Sequence, residues 1–486
     1  MEQSETILPA SHELTKVEAK TPTCTKDGNI EYWQCDVCKE TFTDEGSKNA
    51  VDNVISLLPS NTTITKMVSV KMMIPHYQAA NYNEEIKKYE ISNAEQLYWF
   101  AEQVNSGNAS INAVLTTDIV VNENILAADG SLGADPDHLR MWRPIGDTTE
   151  NAFKGTFDGQ GHSVSGLYFY DYDNSNESGV DGAGLFGVSE GIIQNVGLEN
   201  SYFNYYYTKI DEQLMVCGAA AGICAINDGQ IVNCYNAGTI LGSVVSRICV
   251  ENSDNGKIEN CYNTGIIHGF WAATGICNLN MGILKNCYNN SDITVVTNSS
   301  TIDEDSYTSG ICNINYDSGR IENCYHVGQI NDATFSNNIC NLNIGQIENS
   351  YYNRMICDKD AIGQNDSLDL PSMSDSPATA KNVEGKTTEQ FSNGEVTYLL
   401  NGDQSDPAFY QDLATEKYPT LNQQSKMVMQ LEMIQNESFG EDATTKRTYH
   451  NLNDTVTLEI SPDKAYTYQY FVDGKQIEEP MLYTDE

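Results

Sequence analysis

One five-residue pattern recurs through the middle of the chain and limits what it can fold into. It reads Ile-Val-Asn233-Cys234-Tyr235, Ile-Glu-Asn260-Cys261-Tyr262, Leu-Lys-Asn286-Cys287-Tyr288 and Ile-Glu-Asn323-Cys324-Tyr325, then Ile-Glu-Asn349-Ser350-Tyr351 without the cysteine. Successive copies lie 27, 26, 37 and 26 residues apart. A second column, Ile223-Cys224, Ile248-Cys249, Ile276-Cys277, Ile311-Cys312 and Ile339-Cys340, precedes the first by ten or twelve residues. A unit with two apolar columns cannot bury its own apolar face, so such units stack.

The register within a unit says what is stacked. Counting from the cysteine, position −3 is Ile231, Ile258, Leu284, Ile321 and Ile347, and position +6 is Ile240, Ile267, Ile293, Ile330 and Ile356. These runs are short, β-branched and punctuated by Gly and Asn, without helical period. Positions −3 and 0 differ in strand parity, so both can point inward only if the chain bends near the Asn. That residue tolerates left-handed geometry and can hydrogen-bond backbone at a corner. Short strands joined by corners and superposed coil on coil make a parallel β-solenoid, or β-helix. The long spacing places a polar loop at about Thr297 to Thr308.

The pattern G-x-I-x-N-C-Y-N-x-G-x-I resembles the GLUG-type repeat of surface proteins from gut Firmicutes and of IgA-cleaving metallopeptidases. The resemblance runs from Ile91 to about Leu421. It includes the lead-in Trp142-Arg-Pro-Ile-Gly146 to Phe153-Lys-Gly-Thr-Phe157-Asp-Gly-Gln-Gly-His162 and a closing tail, Phe391 to Leu421. It implies a β-helix and says little about activity.

Composition narrows the function classes. The 486 residues carry 68 acidic and 27 basic side chains, a net charge of −41. That balance repels phosphate backbones and anionic lipid, which argues against nucleic-acid binding. No apolar run is long enough for membrane insertion. Met1 to Ala10 lacks the basic and apolar regions of a signal peptide, so the chain reads as a fragment of a longer secreted or cell-surface protein. Eleven of the fourteen cysteines lie between Cys217 and Cys357. Neighbouring rungs would hold like cysteines about 4.8 Å apart, within disulfide reach. Column regularity favours small buried hydrophobes instead. The repeat-core set is Cys224, Cys234, Cys249, Cys261, Cys277, Cys287, Cys312, Cys324 and Cys340.

The expected organisation has five parts. Residues 1–60 form a small module in which His12, Cys24, Cys35 and Cys38 have the makings of a closed Cys₃His zinc site. The stretch also resembles a short repeat of clostridial surface proteins. A C-x-x-C redox pair or a disulfide is the alternative. A linker covers 61–90. The solenoid covers 91–355 and opens with an amphipathic helix that buries Leu97, Phe100, Ala101 and Val104, starts with a Ser92–Glu95 capping box and stops at Gly107. An irregular cap over the last rung covers 356–424. Residues 425–486 resemble the first half of an Ig-like β-sandwich, with Val456, Leu458 and Ile460 alternating and a turn at Asp473-Gly474. The fold class is all-β.

Catalytic signals are sparse. There is no H-E-x-x-H, G-x-S-x-G, Walker loop or dinucleotide fingerprint. His162 sits between turn glycines without a nucleophile pattern beside it. Asp171, Asp173, Ser175 and Glu177 alternate like the start of an EF-hand, but the sixth and twelfth positions are Asn176 and Gly182, so a solvated acidic loop is expected in place of calcium. Column −2 carries Val232, Glu259, Lys285, Glu322 and Glu348. Glu322 and Glu348, stacked about 5 Å apart, approach the carboxyl spacing of a retaining glycosidase. That makes a β-helix polysaccharide hydrolase or lyase the alternative to the main reading. The main reading is a non-catalytic, monomeric stalk or adhesin-like surface for an extracellular glycan or protein.

Overall fold

The computed structural model of the chain describes residues 14–19, 28–29, 31–35, 41–42, 55–56, 78–171, 179–205, 208–211, 214–295, 306–331, 333–364, 378–402, 405–437, 443–458 and 466–477. The chain divides into two compact units, Met1–His76 and Tyr77–Glu486. In the first, strands Leu14–Val17, Tyr32–Cys35 and Thr41–Phe42 form an antiparallel sheet with Phe42 buried, and Gly28–Asn29 pairs with Ile55–Ser56.

The second unit is a parallel β-helix. Each coil passes through three sheets. Cys224–Asn227 lies in sheet III, Gln230–Val232 and Tyr235–Asn236 in sheet I, and Thr239–Ser246 in sheet II, before Cys249–Asn252 re-enters sheet III. Neighbouring coils pair in parallel with repeat on repeat: Ile231↔Ile258, Ile258↔Leu284, Leu284↔Ile321 and Ile321↔Ile347. Cys224, Cys249, Cys277, Cys312 and Cys340 stack in one continuous register.

Two inward side chains at −3 and 0 require a corner, and the corner is the asparagine. Asn195, Asn233, Asn260, Asn286, Asn323, Asn349 and Asn382 all have φ between 46° and 55°. Left-handed backbone costs an ordinary residue about 1–2 kcal/mol, and Asn is among the few that adopt it routinely. The flip leaves Ile231 and Cys234 both fully buried on either side of Asn233. The nine column cysteines and Cys357 are buried free thiols. Burial pushes the Cys224, Cys234, Cys249, Cys287 and Cys312 thiols up.

The helix α1 (Ala94–Asn105) packs Phe100 on Phe153 and Phe157 at 6.0 and 5.8 Å, with Leu97, Ala101 and Val104 in the same core. Its cap differs from the expected Ser92–Glu95 box. Asn93 is the N-cap and accepts from Gln96 N, whereas Ser92 bonds Gln96 Oε1 and Glu95 pairs with Arg140 at 3.0 Å. Both Ser92 and Asn93 can cap, and Gln96 selects between them by reaching back to Ser92.

Four other expectations shift. The expected loop reached Thr308, but Tyr307–Ser309 is a sheet II strand that pairs with 272–274 and with 335–337. The solenoid was expected to end at 355, yet Thr379–Lys386 adds another strand on Gln346–Asn353, with Asn382 opposite Asn349 in a corner of its own. The tail expected over the last rung instead lies along the side. Helices α2 (Thr388–Ser392) and α3 (Glu395–Asn401) and the segment to Leu421 cover the Tyr288, Tyr325 and Tyr351 column with Phe391, Val396, Leu400 and Phe409. Finally, Val456 and Leu458 belong to no strand. The C-terminal sheet is antiparallel, in the order 443–451, 428–437, 466–472, 475–477, and turns at Asp473-Gly474 with both φ positive. Among the described residues it is a single sheet. It meets the tail where Asn451 bonds Leu413 N and Gln411 O.

Candidate functional site: a polar trough along the asparagine corner

The corner asparagines do more than turn the chain. Each donates from Nδ2 to Oδ1 of the asparagine one coil before it: Asn233 to Asn195 (2.9 Å), Asn260 to Asn233 (3.2 Å), Asn286 to Asn260 (3.0 Å), Asn323 to Asn286 (3.2 Å), Asn349 to Asn323 (3.4 Å) and Asn382 to Asn349 (2.8 Å). The ladder ends on Asp158, whose Oδ1 accepts from Asn195 at 3.0 Å. Burial pushes the Asp158 carboxyl up, but the bonds from Asn195 and from Gln160 N outweigh that and hold it below the ordinary carboxylate range. The expectation that these side chains would bond backbone is replaced by side-chain stacking.

Beside the ladder runs the −2 column, in register Val232↔Glu259↔Lys285↔Glu322↔Glu348↔Lys381. On the ladder's other side the tyrosines stack face to face, Tyr235 on Tyr262 (5.2 Å, 11°), Tyr262 on Tyr288 (4.9 Å, 5°) and Tyr288 on Tyr325 (4.8 Å, 9°). Tyr325 Oη donates to Pro419 O at 2.5 Å and so ties the tail to the column.

Between ladder and tail lies a cavity of about 1050 Å³. Glu259, Lys285, Glu322 and the asparagines from Asn233 to Asn349 form its floor, and residues of 401–408 and 420–423 form its wall. A second hollow of about 480 Å³ shares Asn233 and continues past Tyr235 and Asn195 to Asp158. Six inter-strand steps of about 4.8 Å make this trough roughly 29 Å long. Its surface is mostly amide, carboxylate and hydroxyl. Because the tyrosine faces cover one another, the edge of Tyr262 reaches the trough and its ring face does not.

The sequence-based candidates fare differently. Glu322 and Glu348 are in register and half-buried, yet only Glu322 lines the trough. His162 Nδ1 lies 3.2 Å from Asp118 at a turn. Of the zinc set, His12, Cys24 and Cys38 lie outside the described residues, and Cys35 ends the strand Tyr32–Cys35. Of the EF-hand-like run, Asp173, Ser175 and Glu177 lie outside them, and Asp171 is buried at a strand end. The trough wall was missed altogether. Its floor had a visible signal, the recurrence of Asn itself at −1, which extends to Asn195 and Asn382.

No helix among the described residues is long and apolar enough to cross a membrane. No family model and no curated protein matches the chain. Among solved structures it is similar to the crystal structure of a Bacteroides ovatus protein provisionally assigned as an immunoglobulin A1 protease. The two are 20% identical with a TM-score of 0.45, over 71% of this chain and 95% of that one.

Proposed function

We propose that this chain is a non-catalytic, secreted or surface-displayed repeat protein of the GLUG type whose trough binds an extended, polyhydroxylated chain such as a glycan. The observation that carries the reading is the trough itself. It is long, polar and lined at one-rung intervals by amides that can each donate and accept toward vicinal hydroxyls. Without a free aromatic face, each contact is weak, and affinity comes from repetition along the axis. The hydrolase reading keeps Glu322 as a candidate. Its expected partner Glu348 does not line the same cavity, whereas Glu259 does.

A glycan array probed with the full chain, followed by product analysis of any captured glycan, tests this. Capture without cleavage, weakened by Lys285→Ala or Asp406→Ala, is expected. Cleavage that Glu322→Gln abolishes would make the protein an enzyme. We further propose that His12, Cys24, Cys35 and Cys38 hold a structural zinc. Metal analysis of the full chain should find about one equivalent, lost in Cys38→Ser; metal-free wild type would refute it.

A further inference from the structure

The two ends of the β-helix differ. At the start, α1 packs its apolar face on Phe153 and Phe157, and the edge of Lys88–Ile91 is taken by the three-residue strand Asn81–Asn83. At the other end sheet I finishes in the eight-residue strand Thr379–Lys386. Among the described residues it pairs with Gln346–Asn353 on one side and with no strand on the other. Thr379 to Asn382 and Glu384 are exposed. Beside the strand a bowl of about 650 Å³ is floored by Ala361, Ile362, Ala380 and Val383 and rimmed by Asp360 and Glu384. The tail that would have covered this end lies on the flank instead.

A long open edge is a template for another strand. We propose that its occupant is the same strand of a second copy, paired antiparallel to give a tail-to-tail dimer about a two-fold axis. Charge complementarity within the strand favours this occupant. An antiparallel alignment that sets Lys381 of each copy opposite Glu384 of the other forms the same cross-strand ion pair twice. Lys381 makes no ion pair among the described residues. Glu384 already receives Lys386 at 3.1 Å and keeps a second carboxylate oxygen for Lys381. Because the other end, among the described residues, offers only the short hairpin strand Asn81–Asn83, head-to-tail growth lacks a matching edge there, and the assembly closes at two copies. The dimer presents two troughs pointing in opposite directions along one axis, so a surface ligand would be held bivalently.

The test is sedimentation velocity on the full chain and on two exposed-site variants, each checked for wild-type far-UV dichroism. Wild type should sediment at twice the chain mass, and Lys381→Glu alone and Glu384→Lys alone at one. Mixing the two variants should restore a dimer, because each then supplies the charge the other lacks. A wild-type monomer at high micromolar concentration overturns the proposal. So does a dimer that neither substitution weakens, or a mixture that stays monomeric. A monomer whose 379–386 amides still resist hydrogen exchange would assign the edge to another segment of the chain.

Discussion

Asn195 Nδ2 donates to Asp158 Oδ1 at 3.0 Å, and that bond gives direction to the whole outer ladder. An ionised carboxylate only accepts. The amide above it must therefore turn its NH₂ toward Asp158, which leaves its carbonyl for the next asparagine, and the order propagates to Asn382. A buried ladder runs the other way, from Asn227 through Asn252, Asn280 and Asn315 to Asn343, at 2.8 Å per step.

Substitution at Asn286 separates the corner from the ladder. Asn286→Gly keeps left-handed backbone accessible and loses two side-chain bonds, an expected cost of about 1–2 kcal/mol. Asn286→Ala should cost about 1–2 kcal/mol more, from strain at φ 52°. Urea midpoints of the two variants and wild type give the comparison. Equal losses would mean that the corner geometry adds nothing.

A third ladder, Asn236–Asn263–Asn289, ends on His326, whose Nδ1 lies 3.1 Å from Asn289 Nδ2. Burial pushes the His326 imidazole down to about 4 from an ordinary 6.5, with nearby Arg247 adding to the shift. The unfolded chain thus takes the proton first. The stability that neutral His326 contributes is complete above about pH 6.5 and is lost as pH falls to about 4, a change of about 3 kcal/mol. His326→Asn should remove that part of the acid dependence while continuing the ladder. Parallel stability–pH curves for variant and wild type would contradict it.

The thiol columns should be chemically silent in the folded state. Ellman titration is expected to find them reduced and unreactive until denaturant is added, since burial disfavours the thiolate. Cys261→Ala should cost about 1–3 kcal/mol through lost burial and a small cavity. Rung-to-rung disulfides in protein isolated anaerobically would overturn this.

Phe391 is fully buried against Tyr325 at 5.8 Å and Tyr418 at 5.8 Å. Phe391→Ala should loosen the tail by about 3–5 kcal/mol of local stability. Proteolysis should then cut within 402–425 while the β-helix dichroism persists. Ligand capture should fall with it, because one wall of the trough is tail. Capture that survives tail release would move the binding surface elsewhere.

Local sequence was enough to dictate the rung. Period, the inward pair at −3 and 0, and an asparagine between them left one local solution, because each copy repeats the same parity conflict and only a corner resolves it. It also marked the apolar face of α1, since Leu97, Phe100, Ala101 and Val104 share one helical stripe. The path of the tail was not local information. Phe391 and Phe409 read equally well as cover for an open end or for a flank. The choice depended on the stacked tyrosines offering an apolar strip that forms only once four coils are superposed. The trough followed from the same step. Glu259, Lys285 and Glu322 are ordinary outward residues of separate repeats until stacking aligns them and the tail closes over one side.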